Sequence, residues 1–542
     1  MDVDNSSFLW APSVPLLAIF LSITLPKTQF QRKPSSPSPH THAPPRWYPH
    51  KDPILGLDVL FDIAQSVYNH KFLTFTADLI NRFNGTITYL SLGRQAVYTI
   101  DPANVHAMLA DRTRCQDFGL GPTRRKNWKP LFGSGIFNSD GAVWKHHRST
   151  LRPVLSRAGP HEFEVFETHL QTLMRVVPAD GSTVDLQRIF DALTLDVSTH
   201  LFLGTSTEVL PSLFGSPGTT DGDGNGNRNR NGAQGQEFAA AFNYAQRAVS
   251  GIDDFTLSGL CWKFLFGDSR LEQSLQTVHS FIDEAIEQAS ETFHADRADS
   301  ADSPGHQLNG RGQVLLYKLL NEARSREDIK YDIINLLAAG KDSMTSFMGS
   351  IWYVLCQRPD VLDNVRAEIS VLQGQPPTVE QLSKFSYLHM VLQEVLRLYP
   401  PVPANQRTAE ADTFLPRGGG PDGKSAMLVP RGASVGYSVY AMHRLPEFFG
   451  PDADEFRPER WADVLLNPRP KAYMPFHAGP RTCLGQNLAM SLAKYSTVRL
   501  VQFYQSVENR NVEPWEEKLG LNCSSRHGVL VGLTASSQCV SS

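Results

Sequence analysis

The chain has 542 residues, 41% of them hydrophobic and 20% charged, and a formal net charge of −4 at pH 7. That length would suit two average domains, yet no composition shift divides the centre, so one large, mainly helical domain is expected. The weakly acidic balance excludes nucleic acid as a partner, and six cysteines without a CxxC pair or regular spacing exclude a zinc framework and point to reduced thiols facing the cytosol.

From the amino terminus, Phe8 to Leu25 is an apolar run interrupted by Pro12 and Pro15. As a helix it would span ~27 Å at ~1.5 Å per residue, close to the thickness of a bilayer core. Asp2 and Asp4 precede it, and Lys27, Arg32 and Lys33 follow. Positive residues stay cytoplasmic, which makes residues 1–26 a retained anchor with a lumenal amino terminus. A cleaved secretory signal would need a basic start and a small-residue cleavage site, and it finds neither. Pro34, Pro37, Pro39, Pro44 and Pro45 make residues 27–50 a stiff linker outside the fold. Thr86–Ile100 reads as strand, turn, strand. Helices are expected at about 163–176, 186–203, 237–250, 271–292, 331–357, 360–372 and 378–398. The Gly/Asn/Asp/Arg stretch 215–236 is a structureless surface insertion, and 296–311 a second loop.

Four stretches carry chemistry. Trp144-Lys-His-His-Arg148 puts an indole and a guanidinium one turn apart, a pairing suited to a carboxylate, with His146 and His147 read as surface histidines. Ala338-Ala339-Gly340-Lys341-Asp342-Ser343-Met344-Thr345 sets small residues ahead of an acid and an alcohol on a long helix; the alternative is an apolar helix with a polar break. Glu394 and Arg397 at i,i+3 can pair, and Phe456-Arg-Pro-Glu-Arg460-Trp follows about sixty residues later. Last comes Phe476-His-Ala-Gly479-Pro-Arg481-Thr-Cys483-Leu-Gly485 ahead of a helical run. A glycine turn, backbone N–H groups aimed at sulfur and a helix N-terminus are what a metal-ligating thiolate needs. The alternative is a buried structural cysteine.

Together these stretches resemble the cytochrome P-450 family. They match its F-x-x-G-x-R-x-C-x-G, W-x-x-x-R, E-x-x-R and P-E-R-F elements and, with two departures, its A-G-x-D-T-T motif. The resemblance covers residues 51–533. It implies a mainly α fold with small β-sheets, a single haem domain over 51–535 and a short tail, 536–542. The cofactor implied is heme b, with Cys483 as iron ligand and Phe476, Gly479, Arg481 and Gly485 shaping its loop. Trp144, Arg148, Arg407 and Arg481 are implied around the propionates, and Glu394, Arg397 and Arg460 as a structural network. Asp342 and Ser343 are implied as the proton relay, where Ser343 lacks the usual methyl, Met344 replaces a second hydroxyl and Thr345 is one step off register. Expected consequences are retained oxygen activation and more leakage to peroxide.

Lys51–Asp58, Gly133–Gly141, Ala441–Arg444 and Phe476–Arg481 resemble the fungal subgroup that hydroxylates n-alkanes and fatty acids. By analogy the pocket draws on Phe118–Pro122, Phe242–Val249, Ala338–Ser343, Val402–Asn405 and the turn Ser525–Gly528, with Phe118, Phe242, Ala338, Ala339, Val402 and Ala404 as its named walls. The activity implied is a monooxygenase of the endoplasmic reticulum membrane, single-pass with a cytosolic catalytic domain. It would use O2 and electrons from an NADPH-dependent reductase, with cytochrome b5 as an optional second donor. The substrate implied is a specialised fungal metabolite or an aliphatic chain. A haem-thiolate isomerase or dehydratase, and a non-catalytic haem-binding protein, are the competing classes.

Overall fold

The strand pair expected at Thr86–Ile100 forms as Thr86–Ser91 (β1) and Arg94–Thr99 (β2), antiparallel from Thr86↔Thr99 to Ser91↔Arg94. Leu92 and Gly93 turn between them at φ 50 and 75, the left-handed pair that a two-residue hairpin requires. The computed structural model describes residues 43–156, 158–214, 226–251, 268–301, 314–322, 324–462 and 471–535. The expected anchor 1–26, most of the linker, residues 215–225 and the tail 536–542 lie outside them. Among the described residues no helix is long and apolar enough to cross a membrane.

The remaining strands are Phe118–Gly119 (β3), Asp180–Asp185 (β4), Ala404–Ala409 (β5), Thr413–Gly419 (β6), Ser425–Val429 (β7), Ser434–Ser438 (β8), Tyr504–Asn509 (β9), Glu517–Leu519 (β10), Cys523–Ser525 (β11) and Leu530–Ala535 (β12). They form a five-stranded sheet in the order β1-β2-β8-β5-β3, a three-stranded sheet β4-β12-β9, and the hairpins β6-β7 and β10-β11. The helices are Leu57–Tyr68 (α1), Phe72–Asn81 (α2), Pro102–Leu109 (α3), Pro122–Phe132 (α4), Gly141–Leu155 (α5), Pro160–Val176 (α6), Leu186–Leu203 (α7) and Gly226–Ser250 (α8). Then follow Ser269–Ala301 (α9), Leu315–Asn321 (α10), Arg326–Gln357 (α11), Pro359–Ile369 (α12), Val379–Lys384 (α13), Ser386–Leu398 (α14) and Gln486–Phe503 (α15).

Helix α11 is the axis of the helical part. Its 32 residues extend ~48 Å, Ser325 caps it by accepting from the Asp328 N–H, and most of its side chains are buried. Helix α7 lies along it. A Cβ on Gly340 would fall 3.1 Å from Ser198 Oγ, and Thr345 Oγ1 meets Thr194 Oγ1 at 2.8 Å. Gly340 therefore serves helix contact with α7; the space over the expected cofactor position is left to its neighbours.

Four expectations change. Residues 43–50, read as linker, dock on the sheet: Trp47 bridges Thr88 and Pro45 bridges Gly419, while Leu90 N donates to His50 Nε2 at 2.9 Å. The edge of β1 offered unpaired backbone groups, and these residues satisfy them. Helix α8 starts at Gly226, so 226–236 of the expected insertion are helical. Gly235 explains why a poor helix former sits there: a Cβ would lie 2.1 Å from the Thr207 carbonyl oxygen. The expected helix 378–398 divides at Phe385, whose backbone is extended. Lys494 Nζ donates to the carbonyls of Leu382 and Phe385 at 3.0 and 3.3 Å, satisfying the end of α13. Helix α9 likewise runs on to Ala301, into the second expected loop.

Candidate functional site

The Cys483 loop is built by backbone constraints. Gly479 has φ 69, and a Cβ there would lie 1.9 Å from the Leu109 carbonyl oxygen, so only glycine lets the loop pass α3. Cys483 N donates to Phe476 O at 3.0 Å and Thr482 N to Gly479 O at 3.1 Å, closing the turn. The cysteine side chain stays exposed just ahead of Gly485, the residue that leads into α15. Close protein surroundings push its thiol above the ordinary range, against the Gly485 N–H and the Arg148 guanidinium, which favour thiolate. A metal cation would reverse that balance, because a coordinated thiol ionises.

Trp144, on α5, is buried, and two guanidiniums lie over its ring: Arg481 at 4.4 Å and Arg148 at 5.6 Å. Arg148 Nη1 donates to the Thr482 carbonyl at 2.9 Å, clamping the cysteine loop, and Arg481 pairs with Asp140 Oδ1 at 2.6 Å. Arg407 on β5 is buried; its Nη1 donates to Gln406 O at 2.7 Å and to Asn405 Oδ1 at 3.3 Å.

Two further residues join this cluster without having been singled out in the sequence. Arg124, on α4, lies 3.9 Å above the Trp128 ring; burial, then the neighbouring Arg407 and Arg481, push its guanidinium down to about 9. Its Nε is buried without a hydrogen-bond partner among the described residues, and so is the hydroxyl of Tyr437, near Arg407 and Arg124. Arg124–Trp128 repeats the i,i+4 Arg–indole pattern of α5, the signal that could have found it. Mutually repelling cations and an orphan hydroxyl are the donor set for a ligand carrying two carboxylates. A haem propionate pair fits it, with the Cys483 sulfur as the metal ligand.

On α11, Ala339, Asp342 and Ser343 are half-buried at i, i+3 and i+4, while Ala338, Lys341, Met344 and Thr345 are buried. Ser343 Oγ donates to the Ala339 carbonyl at 2.5 Å. Asp342 Oδ1 accepts from Lys341 Nζ at 2.7 Å, and the same ammonium reaches Asp191 on α7 at 2.5 Å and Asn243 on α8 at 2.8 Å. Burial pushes the Lys341 ammonium down, but Asp342 and Asp191 outweigh it and hold its titration above the usual lysine range. Lys341 carried no weight in the sequence, since a single lysine in a helix is ordinarily solvated.

Glu394 has no accessible surface and receives five donors. Arg397 Nη2 and Nε reach it at 2.8 and 2.9 Å, Arg460 Nε at 2.9 Å, and Arg457 N and Trp461 Nε1 at 3.0 Å each. Arg397 also donates to the carbonyls of His443, Ala453 and Glu455. His443, buried and driven down to about 3 chiefly by burial, accepts from Met474 N at 3.0 Å and so donates to the Arg397 carbonyl. The network thus leads to within two residues of Phe476.

The surface assignment fails for His147. It is buried, its Nδ1 lies 2.7 Å from Asp332 Oδ1, and Arg324 pairs with the other Asp332 oxygen, which ties α5 to α11. His146 is exposed. Among the expected pocket walls Ala339, Val402 and Ala404 keep accessible surface, and Ala338 is buried beside them. Phe242 does not: it has no accessible surface and stacks on Phe238 at 5.5 Å, in the core between α8 and α9. Phe118 is likewise buried in the apolar cluster of the five-stranded sheet. Both aromatics fill the interior because each faces a layer of apolar neighbours, a relation that chain position does not reveal.

Compared with known proteins, residues 53–527 match the sequence model of the cytochrome P-450 family. The chain is 36% identical to cytochrome P-450 monooxygenase himC of Aspergillus japonicus, over 95% of this chain and 88% of that protein. It is 33% identical to cytochrome P-450 monooxygenase fsdH of Fusarium heterosporum, over 90% and 81%. With cytochrome P-450 52A4 of Candida maltosa it shares 35% identity, over 83% and 79%.

Proposed function

The chain belongs to the cytochrome P-450 family and is a monooxygenase, and we propose that Cys483 holds its heme b while Arg124, Arg407, Arg481 and Tyr437 take the propionates. When bound, that group supplies the oxygen-activating chemistry. The chain supplies the ligand, the compensating charge, the proton path and a dry pocket. Arg148 keeps the Cys483 turn in place through Thr482, and the Glu394–Arg397–Arg460 network with His443 braces the segment leading into it.

Protons reach the pocket through Asp342 and Ser343. Lys341 holds Asp342 at the boundary between the half-exposed Asp191 and the helix interior. The Ser343 hydroxyl rests on the Ala339 carbonyl; turned away from it, the same hydroxyl donates into the pocket. Serine lacks the methyl that restrains a threonine rotamer, so this turn is freer and the proton supply less directed.

The observation that carries this reading is the Cys483 loop: an exposed cysteine just ahead of α15, with Gly479 allowing no side chain. It is tested by the carbon monoxide difference spectrum of the reduced, purified protein. The spectrum of a thiolate-ligated haem is expected, and lost in Cys483→Ser; an unchanged spectrum in that variant overturns the assignment.

Ala339, Val402 and Ala404 present apolar surface, so the substrate is a hydrophobic molecule with an oxidisable C–H bond. Two substrate classes fit: a specialised fungal metabolite, and an aliphatic chain oxidised near its end. Identities of 36% and 35% to the Aspergillus and Candida enzymes favour neither. The run Phe8–Leu25 anchors the chain in the endoplasmic reticulum membrane, and an NADPH-dependent reductase there, with cytochrome b5 as a second donor, provides electrons. NADPH-dependent turnover in microsomes separates the substrate classes: terminal hydroxy acids from a fatty-acid series indicate chain oxidation, and oxidation of an extract component alone indicates the metabolite.

A further inference from the structure

His477 occupies a backbone conformation that its side chain makes costly. It stands at φ 62 in the loop before Cys483, two residues ahead of Gly479 at φ 69. Glycine takes such angles freely, and a residue with a Cβ persists there only when its surroundings hold it. What holds His477 is its backbone N–H, which donates to the Met474 carbonyl at 3.1 Å, together with its imidazole. Nε2 lies 3.0 Å from Asn405 Nδ2, and the ring stands edge-on to Tyr437 at 6.2 Å between centroids.

The direction of that hydrogen bond follows from the other end of the Asn405 amide. Asn405 Oδ1 accepts from the Gln406 N–H at 2.8 Å and from Arg407 Nη1 at 3.3 Å. Two donors converge there, so Oδ1 is the oxygen and the group facing His477 is the NH2. The imidazole is therefore the acceptor at Nε2 and carries its proton on Nδ1. Burial and the nearby Arg407 and Arg124 guanidiniums push the ring down to about 3, so it keeps accepting throughout the neutral range.

Asn405 and Arg407 stand two apart on β5 and share a face. A chain of contacts thus runs from the imidazole to the Asn405 amide and on to the Arg407 guanidinium. Gln406 and Arg407 hold the oxygen end of that amide and the imidazole holds its NH2 end; without an acceptor at Nε2 the amide loses that second anchor and is free to tilt away from Arg407. We propose that His477 is a positioning residue: through Asn405 it aims the Arg407 guanidinium at the propionate side of the site and so sets the reduction potential of the bound haem. The inference rests on Arg407 facing a propionate. A fixed cation there favours the reduced, more negative state; a wandering one favours it less.

The test compares His477→Gly, Asn405→Ala, the double variant and Arg407→Ala, reading the haem reduction potential and the rate of haem loss to a haem-scavenging apoprotein. His477→Gly relieves the backbone, so its thermal stability should hold or rise. Its potential should nevertheless fall and its haem loss quicken. Asn405→Ala should give the same shifts, and the double variant no more than either single one, because both break one chain of contacts. Unchanged potential and haem loss in His477→Gly, or shifts that add in the double variant, overturn the proposal; His477→Ala, read in the same way, decides if the glycine variant expresses poorly. Arg407→Ala separates the two levels. If it shifts both readouts while His477→Gly does not, the positioning role fails and the propionate assignment stands. If Arg407→Ala moves neither, the assignment and the positioning role fall together.

Discussion

Replacing Glu394 with glutamine keeps the volume of the side chain and removes its charge. Every acceptor site of the carboxylate is in use, by Arg397, Arg460, Trp461 and the Arg457 N–H. The new NH2 must face one of those donors. Arg460 retains Asp452, 3.3 Å away, but among the described residues no other carboxylate is bridged to Arg397, which has no accessible surface. Leaving one buried charge without its counter-ion costs about 3–5 kcal/mol. That is a large share of the ~5–15 kcal/mol by which a domain is stable. At about 1.4 kcal/mol per tenfold, local opening should become roughly 100- to 4,000-fold more frequent. Hydrogen exchange followed by mass spectrometry on the haem-loaded protein measures this in α14 and in residues 443–461. Exchange within tenfold of the unsubstituted protein would refute the reasoning. Replacing Glu394 and Arg397 together by apolar residues should recover part of the loss, since the penalty belongs to the unpaired charge.

Three more outcomes are expected. Ser343→Ala removes the alcohol beside Asp342, and NADPH consumption per product formed should rise with more peroxide; unchanged coupling takes Ser343 out of the proton path. Arg124→Ala should act with opposite signs on the two forms of the protein. The haem-free chain, relieved of repulsion with Arg407 and Arg481, should melt no lower, while haem dissociates ~10–100-fold faster for a lost charge-assisted bond of ~1.5–3 kcal/mol. The third concerns acid. His443 titrates at about 3 when folded and near ~6.5 when unfolded, so below pH ~6.5 only the unfolded chain takes the proton. Its contribution to stability is whole above that pH and is lost as pH falls toward 3, with a slope of up to ~1.4 kcal/mol per unit. His443→Gln should flatten urea midpoints across pH 4–6; an unchanged slope would show that another group is responsible.

The sequence made the long helices legible because their apolar faces repeat over many turns. It did not reveal where one helix stops against another. Phe385 sits inside a continuous helical pattern, and the helix breaks there because Lys494, more than a hundred residues later, supplies the donors that end it. The same holds for Gly226–Gln236, where composition argues for a loop and a close approach to the Thr207 carbonyl rewards glycine in a helix. Residues 43–50 looked like linker because their prolines were visible and the β1 edge that receives them was not.

The candidate site divides along a similar line. Cys483, Glu394, Arg397, Arg148 and Asp342 stood in short local patterns, so chain spacing alone could mark them. Arg124, Tyr437, Lys341 and His147 belong to the same machinery but acquire meaning only from partners far away in sequence. Arg124 is an ordinary surface arginine until Arg407 and Arg481 are brought beside it. Lys341 is a solvated lysine until Asp191 and Asn243 close over it. What a sequence hides here is charge that is costly without its partners. A buried arginine pushed down by its arginine neighbours, with Asp140 offsetting only part of that, is unfavourable unless a further anion completes the cluster, and the position of that cost marks the proposed propionate side of the site.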